Sequence, residues 1–139
     1  MNLQDKIRSF ILSNFVPSEV RTVGMEEECF IYTTDNRRLP VNPCDEFSAS
    51  DLLSIMNENV GNNGIYSLEP GGQLEWSSPP YHNLYTLFSA LAKHKQALMK
   101  VVGTNDLKII NYGVEPNFTP DDIDLIDQLK YQLMHVNME

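Results

Sequence analysis

The segment Leu68-Glu69-Pro70-Gly71-Gly72-Gln73-Leu74-Glu75 sets two carboxylates and a carboxamide around a Pro-Gly-Gly turn. Ile65-Tyr66-Ser67-Leu68 before the turn and Gln73-Leu74-Glu75-Trp76 after it read as short strands. Residues two apart in a strand point to one face, so Gln73 and Glu75 project together, and Glu69 ends the incoming strand beside them. So many oxygen ligands on one hairpin suit a divalent cation or a substrate amine. A second group repeats the geometry. Val23 to Tyr32 reads as a strand in which Glu26 and Glu28 share one face, while Met25, Glu27, Cys29 and Ile31 share the other. Acidic residues are depleted in strands, and like charges on one face repel. That local cost points to a positive ion between them, most economically Mg2+ or Mn2+. The plainer reading is a solvated strand edge that carries charge against aggregation. The matching spacing and chemistry of the two groups favour a metal-lined face.

These residues carry a resemblance. Gly24-Met25-Glu26-Glu27-Glu28, followed by Leu68-Glu69-Pro70-Gly71-Gly72-Gln73-Leu74-Glu75, resembles the plant and proteobacterial type of glutamate–cysteine ligase. That family shows a Gly-x-Glu-x-Glu strand and then a Leu-Glu-Pro-Gly-Gly-Gln-x-Glu hairpin a few dozen residues on. The agreement continues in Ser77-Ser78-Pro79-Pro80, in Tyr112-Gly113-Val114-Glu115-Pro116 near the family's Gly-x-x-Pro, and in Lys130-Tyr131-Gln132-Leu133-Met134, where the family has Arg-Tyr-x-x-Met. It runs from about Val23 to Met134, and the hairpin is its most specific part.

The resemblance implies an ATP-dependent ligase of the glutamine-synthetase-like superfamily that makes γ-glutamylcysteine, the first step of glutathione biosynthesis. In such enzymes the γ-carboxylate of glutamate attacks the γ-phosphate of ATP to give an acyl phosphate, and the cysteine amine then displaces phosphate. It further implies that Glu26, Glu28, Glu69, Gln73 and Glu75 hold Mg2+ (or Mn2+) and, through it, the ATP phosphates; it names no catalytic base. Phosphoryl transfer depends chiefly on positioning and charge neutralisation, which a cradle of oxygen-ligated metal serves.

Two features depart from the family. Its members run to several hundred residues, against 139 here, so a single domain spanning 1–139 is expected as an N-terminal portion, completed by a missing C-terminal portion of the ligase. Arg8, Arg21, Arg37 and Arg38 are the arginines, and none sits in a motif for phosphate or carboxylate capture. Two alternatives therefore stand beside the ligase: a truncated, non-catalytic homologue that at most binds divalent metal, and another carboxylate–amine ligase of the same superfamily.

Composition narrows the partners. The net charge of −9 argues against nucleic acid and against anionic membranes, whose phosphates would repel it. No apolar run approaches the roughly 20 residues of a membrane span. Cys29 and Cys44 form neither a disulfide framework nor a Cys-x-x-Cys pair, so a reducing cytoplasm is expected, with Cys29 in the core and Cys44 in a loop. The partners expected are small molecules: glutamate, cysteine and ATP. His82, His94 and His135 are too scattered for zinc, and His94, between Lys93 and Lys95, reads as exposed. Trp76 reads as core, Tyr131 and Met134 as structural.

Positioning these groups falls to an alternation of helices and strands. Leu3, Ile7, Phe10 and Ile11 repeat at helical spacing, which predicts a helix from about Leu3 to Asn14. A turn is expected at Thr34-Asp35-Asn36-Arg37, and Ser48 with Asp51 resembles a capping arrangement for a helix through Leu52, Leu53 and Met56. Asn59 to Gly64 reads as a loop. Asn83 to Val102, with Leu84, Leu87, Phe88, Leu91, Leu98, Met99 and Val102 as its stripe, predicts a helix stopped by Gly103. Leu107 to Val114 reads as a strand. Thr119-Pro120-Asp121-Asp122 reads as the start of a helix that buries Ile123, Ile126, Leu129 and Leu133. The sum is an α+β fold, an antiparallel or mixed sheet with helices packed on one face and the acids on the other, as in a partial glutamine-synthetase-like ligase.

Overall fold

The computed structural model describes residues 2–59 and 63–138. Among them the chain is α+β, with helices α1 (Leu3–Ser13), α2 (Ala49–Asn59), α3 (Leu84–Thr104) and α4 (Leu129–Met138) and strands β1 (Glu26–Thr33), β2 (Ile65–Leu68), β3 (Leu74–Ser77) and β4 (Leu107–Ile110). The sheet is antiparallel throughout, in the order β2-β3-β1-β4. Of the expected loop at Asn59 to Gly64, residues 60–62 lie outside the described residues.

Alternation along the strands sorts the side chains into two layers. Cys29, Ile31, Leu74, Trp76, Tyr66 and Leu68 point toward the helices and form the core with Leu52, Met56, Ala90, Leu98 and Val102. Trp76 and Leu52 are fully buried. α2 packs against β2 and α3, and α3 packs against β4. Asn57 of α2 accepts from the Tyr66 N–H at 3.2 Å and donates to its carbonyl at 3.3 Å, so a helix covers the otherwise free edge of β2. Ser48 and Asp51 form the reciprocal cap expected at α2. The Ser48 N–H and hydroxyl donate to Asp51 Oδ2 at 2.9 and 2.6 Å, and the Asp51 N–H donates back at 3.2 Å.

The Pro-Gly-Gly turn takes a defined form. The Gly72 N–H donates to the Glu69 carbonyl at 2.7 Å, and the Glu69 N–H donates to the Gln73 carbonyl at 2.9 Å. Gly72 sits at φ 78°, in the left-handed region, with Val41 Cγ2 3.0 Å from where a Cβ would be. Glu69 and Gln73 thus close the hairpin.

Several elements differ from expectation. His94 is buried, 4% exposed, because it stacks on Trp76 with centroids 4.6 Å apart and shares a 2.8 Å hydrogen bond with the Tyr66 hydroxyl. The buried stripe of α3 is accordingly Leu87, Ala90, His94, Leu98 and Val102, and Leu84, Phe88 and Met99 face solvent. Gly103 lies inside α3, which ends at its C-cap Asn105; Asp106 then takes the left-handed turn at φ 52°. β4 stops at Ile110, four residues short of Val114. The helix expected from Pro120 is one 3-10 turn, Pro120–Asp122, although Thr119 and Asp122 form its capping box. It does not propagate because the donors beyond it bond elsewhere: the Ile126 N–H to the Pro70 carbonyl at 2.9 Å, and the Asp127 N–H to Asn42 Oδ1 at 2.8 Å. Ile126 is still buried, but Leu129 and Leu133 are exposed. Tyr131 is buried, with its hydroxyl donating to the Leu68 carbonyl at 3.0 Å, whereas Met134 is half exposed. α1 forms as expected, capped by Asn2, yet buries none of its residues. Cys29 is buried, Cys44 is exposed and neither is paired; no helix among the described residues is long and apolar enough to cross a membrane.

Replacing Gly72 by Ala should lower stability by about 1–2 kcal/mol, from left-handed strain and crowding on Val41. A urea midpoint at wild-type level would contradict this turn geometry.

Candidate functional site

The site is the sheet face opposite α2 and α3. β1 and β3 pair with Glu28 opposite Glu75 and Glu26 opposite Ser77, and β2 and β3 pair with Ser67 opposite Glu75. Ser67, Glu75 and Glu28 therefore stand in one row across three strands. Ser77 Oγ donates to Glu75 Oε1 at 2.8 Å and Ser67 Oγ to the same atom at 3.4 Å, so two hydroxyls orient this carboxylate. Glu69, at the closing end of the hairpin, comes within hydrogen-bonding reach of Glu75. Gln73 meets Glu28 in a cleft of about 170 Å3, which opens where β4 ceases to pair with β1 and Asn111-Tyr112-Gly113 turns away.

Of the five residues singled out, Glu28, Glu69, Gln73 and Glu75 thus converge. Glu26 shares their face but lies one row farther, against a separate hollow lined by Gly24, Met25, Ser77 and Ser78. Glu27 projects to the helix side, where Lys95 Nζ stands 2.8 Å and His94 Nε2 3.3 Å from its carboxylate.

The electrostatics mark the cluster as short of positive charge. Burial pushes the Glu69 carboxyl above its ordinary range, and the hydrogen bond and charge of Glu75 and the charge of Glu28 push it further; Lys130 opposes them. Lys130 reaches over the cluster from α4. Its ammonium is held above its ordinary range first by Tyr131 and then by Glu69 and Glu75, and it lies 4.3 Å from the centre of the Tyr131 ring. Among the described residues, no three His, Cys, Asp or Glu side chains close into a ready-made cage for a metal ion. Mg2+ requires none. It takes one or two carboxylates and fills its octahedron with water and substrate oxygens. A carboxyl with a raised pKa between two others is a donor set that a cation would relieve, so the residues present fit Mg2+ or Mn2+.

A second polar group, not anticipated from the sequence, borders this face. Arg38 is paired with Glu115, donates to the Gly71 carbonyl at 2.5 Å, and lies over the rings of Phe30 and Tyr32 at 4.8 and 5.8 Å. The Tyr32 hydroxyl also donates to Glu115. Burial pushes the Glu115 carboxyl upward, but donors from Tyr32, Asn117 and Arg38 outweigh it and hold it below its usual range. The turn expected at Thr34 to Arg37 was the available signal: it implies a hairpin that sets Arg38 opposite Tyr32, as observed. Arg38 is therefore committed to an internal carboxylate and is not a free anion clamp. Arg37 is likewise paired at the surface, with Asp35 at 2.7 Å.

Replacing Glu75 by Gln should bring the Glu69 carboxyl down toward its ordinary range in a 13C-detected pH titration. It should also raise the melting temperature at neutral pH, more in low salt than in high. An unmoved Glu69 titration would show that the two side chains are not in contact.

A comparison with protein families matches residues 22–139 to glutamate-cysteine ligase family 2 (GCS2). Among curated proteins, the chain is 24% identical over 147 residues to glutamate–cysteine ligase B, chloroplastic, of Oryza sativa subsp. japonica, covering 94% of this chain and 29% of that protein. Glutamate–cysteine ligase A, chloroplastic, of the same subspecies and of subsp. indica, matches to the same identity and extent. The chain thus spans 29% of the length of these curated relatives.

Proposed function

The chain belongs to glutamate-cysteine ligase family 2, and we propose that it carries the acidic part of the active site of a ligase that joins the γ-carboxylate of L-glutamate to the amine of L-cysteine at the expense of ATP. The observation that supports this most is the convergence of Glu28, Glu69, Gln73 and Glu75 on the open face of the sheet. Mg2+ or Mn2+ would be held there, with Glu26 at the flank, and when bound would neutralise charge on the triphosphate. The chain's own residues do the rest of the positioning. Ser67 and Ser77 fix the Glu75 carboxylate, the Gly72 turn aims Glu69 and Gln73 at the same place, and Lys130 offers a point charge to phosphate oxygens. In the reaction, a glutamate γ-carboxylate oxygen attacks the terminal phosphorus of ATP, ADP leaves, and the cysteine amine displaces phosphate from the acyl phosphate. The compartment is reducing, which we take as the cytoplasm, in keeping with two unpaired cysteines.

The commitment of Arg38 to Glu115 favours a second reading, a non-catalytic homologue that binds divalent metal but lacks an anion clamp.

The test has two arms. Mn2+ titrated into the chain and followed by electron paramagnetic resonance should show saturable binding, weakened at least tenfold by Glu69→Gln or Glu75→Gln. A protein in which this chain is continued to the length of its relatives should release ADP only with glutamate, cysteine and Mg2+ together, and both substitutions should abolish release. Metal binding without such release supports the second reading. Unchanged turnover in both variants refutes the site.

A further inference from the structure

Three consecutive glutamates, Glu26-Glu27-Glu28, open β1, and the four residues after them, Cys29-Phe30-Ile31-Tyr32, are all buried, at 4%, 4%, 3% and 2% exposure. Neither the acidic run nor the apolar run therefore distinguishes the two faces of this strand. A slip of one residue would present Glu27 to the acidic face and turn Glu26 and Glu28 toward the helices, with apolar side chains on both sides as before. Hydrophobic patterning alone does not fix the register.

One polar group ties β1 to the helix layer. Glu27 is opposite Trp76 on β3. Its carboxylate faces α3, with Lys95 Nζ 2.8 Å from Oε1 and His94 Nε2 3.3 Å from Oε2, a buried oxygen that completes no hydrogen bond among the described residues and has the imidazole as its nearest polar neighbour. His94 is itself fixed on two further strands: Nδ1 meets the Tyr66 hydroxyl of β2 at 2.8 Å, and the ring lies flat on Trp76 of β3, 6° from parallel. One imidazole thus touches β1, β2 and β3 from a single position on α3.

We propose that His94 is a positioning residue that locks the register of β1, so that Glu27 is drawn to the helix layer and Glu28 is set opposite Glu75 on the metal-binding face. Burial holds the imidazole below its ordinary pKa and hence neutral. In the tautomer that suits both neighbours, Tyr66 donates to Nδ1 and the Nε2–H is the one turned toward Glu27 Oε2. A buried polar contact of this kind is worth little as net stability but penalises every arrangement that leaves its members unpaired. A slipped β1 would take Glu27 away from His94 Nε2 and Lys95 while the Tyr66 bond to Nδ1, between β2 and α3, stayed in place.

The metal arm of the test rests on the function proposed above; the register arm does not. In the isotope-labelled chain, cross-strand nuclear Overhauser effects should report the Glu28–Glu75 and Glu27–Trp76 pairs. His94→Leu, which fills the space without a donor, should erase them and weaken Mn2+ binding by about 10- to 100-fold. His94→Gln, which can still donate to Glu27, should keep both. If His94→Leu fails to fold, Glu27→Met removes the other end of the contact and is expected to give the same two losses. Intact cross-strand pairs in His94→Leu, or in Glu27→Met where that is the variant that folds, overturn the proposal, whatever happens to Mn2+. Loss of the pairs in a chain whose wild type binds no Mn2+ upholds the register lock and removes the metal reading.

Discussion

Glu28 and Glu75 face each other across neighbouring antiparallel strands, and the rest of the molecule is arranged around that opposition. Directly paired side chains in such a ladder lie about 4.5–5.5 Å apart, close enough for two carboxylates to destabilise the pairing by themselves. Here Glu69 adds a third carboxyl at the same end of the sheet, held above its ordinary pKa first by burial and then by Glu75 and Glu28. A protein retains such a cluster when something outside the fold compensates for it, and local strain concentrated on one face commonly marks a working site. The core beneath the sheet, the hairpin turn and α4 hold the acids in place.

The holding is done from beneath. The helix-facing layer of the same strands contains Trp76, Tyr66 and Leu74, each within one residue of an acid-face group. Strand alternation makes these two layers inseparable: any shift that loosened the core would also scatter the carboxylates. The hairpin provides the second constraint. With Gly72 in a left-handed conformation, the Pro70 turn closes in three residues and returns Gln73 to the side of Glu69. α4 adds the third, bringing Lys130 over the acids while Tyr131 anchors to the Leu68 carbonyl.

Much of this was legible in the sequence, because its signals are local. The period-two alternation of Glu26 and Glu28, the Pro-Gly-Gly turn, and the Ser48–Asp51 cap each depend on neighbours within a few residues, and each formed as expected. The α+β class, with helices on one face, followed from the same patterns. What was not legible depends on partners far along the chain. His94 lies between two lysines and reads as solvent-facing; only the approach of Trp76 and Tyr66 makes a buried histidine favourable there. The helix expected after Thr119 has a correct cap but loses its donors to Pro70 and Asn42, about 55 and 85 residues away in sequence. The pairing of Arg38 with Glu115 spans 77 residues and has no local signature beyond the turn before Arg38. Glu26, grouped with the others by its strand face and by the resemblance, pairs with Ser77 one row beyond Glu28 and Glu75, and spacing along one strand does not reveal which row of the neighbouring strand it meets.

If these carboxyls form a cation site, crystals grown with Mn2+ and a non-hydrolysable ATP analogue will show it by anomalous diffraction. A manganese peak bounded by Glu28, Glu69 and Glu75, at about 2.0–2.2 Å from at least one of their oxygens, is the result expected. A peak confined to other acids, such as Asp121 and Asp124, with Glu69 still bonded to Glu75, would contradict it.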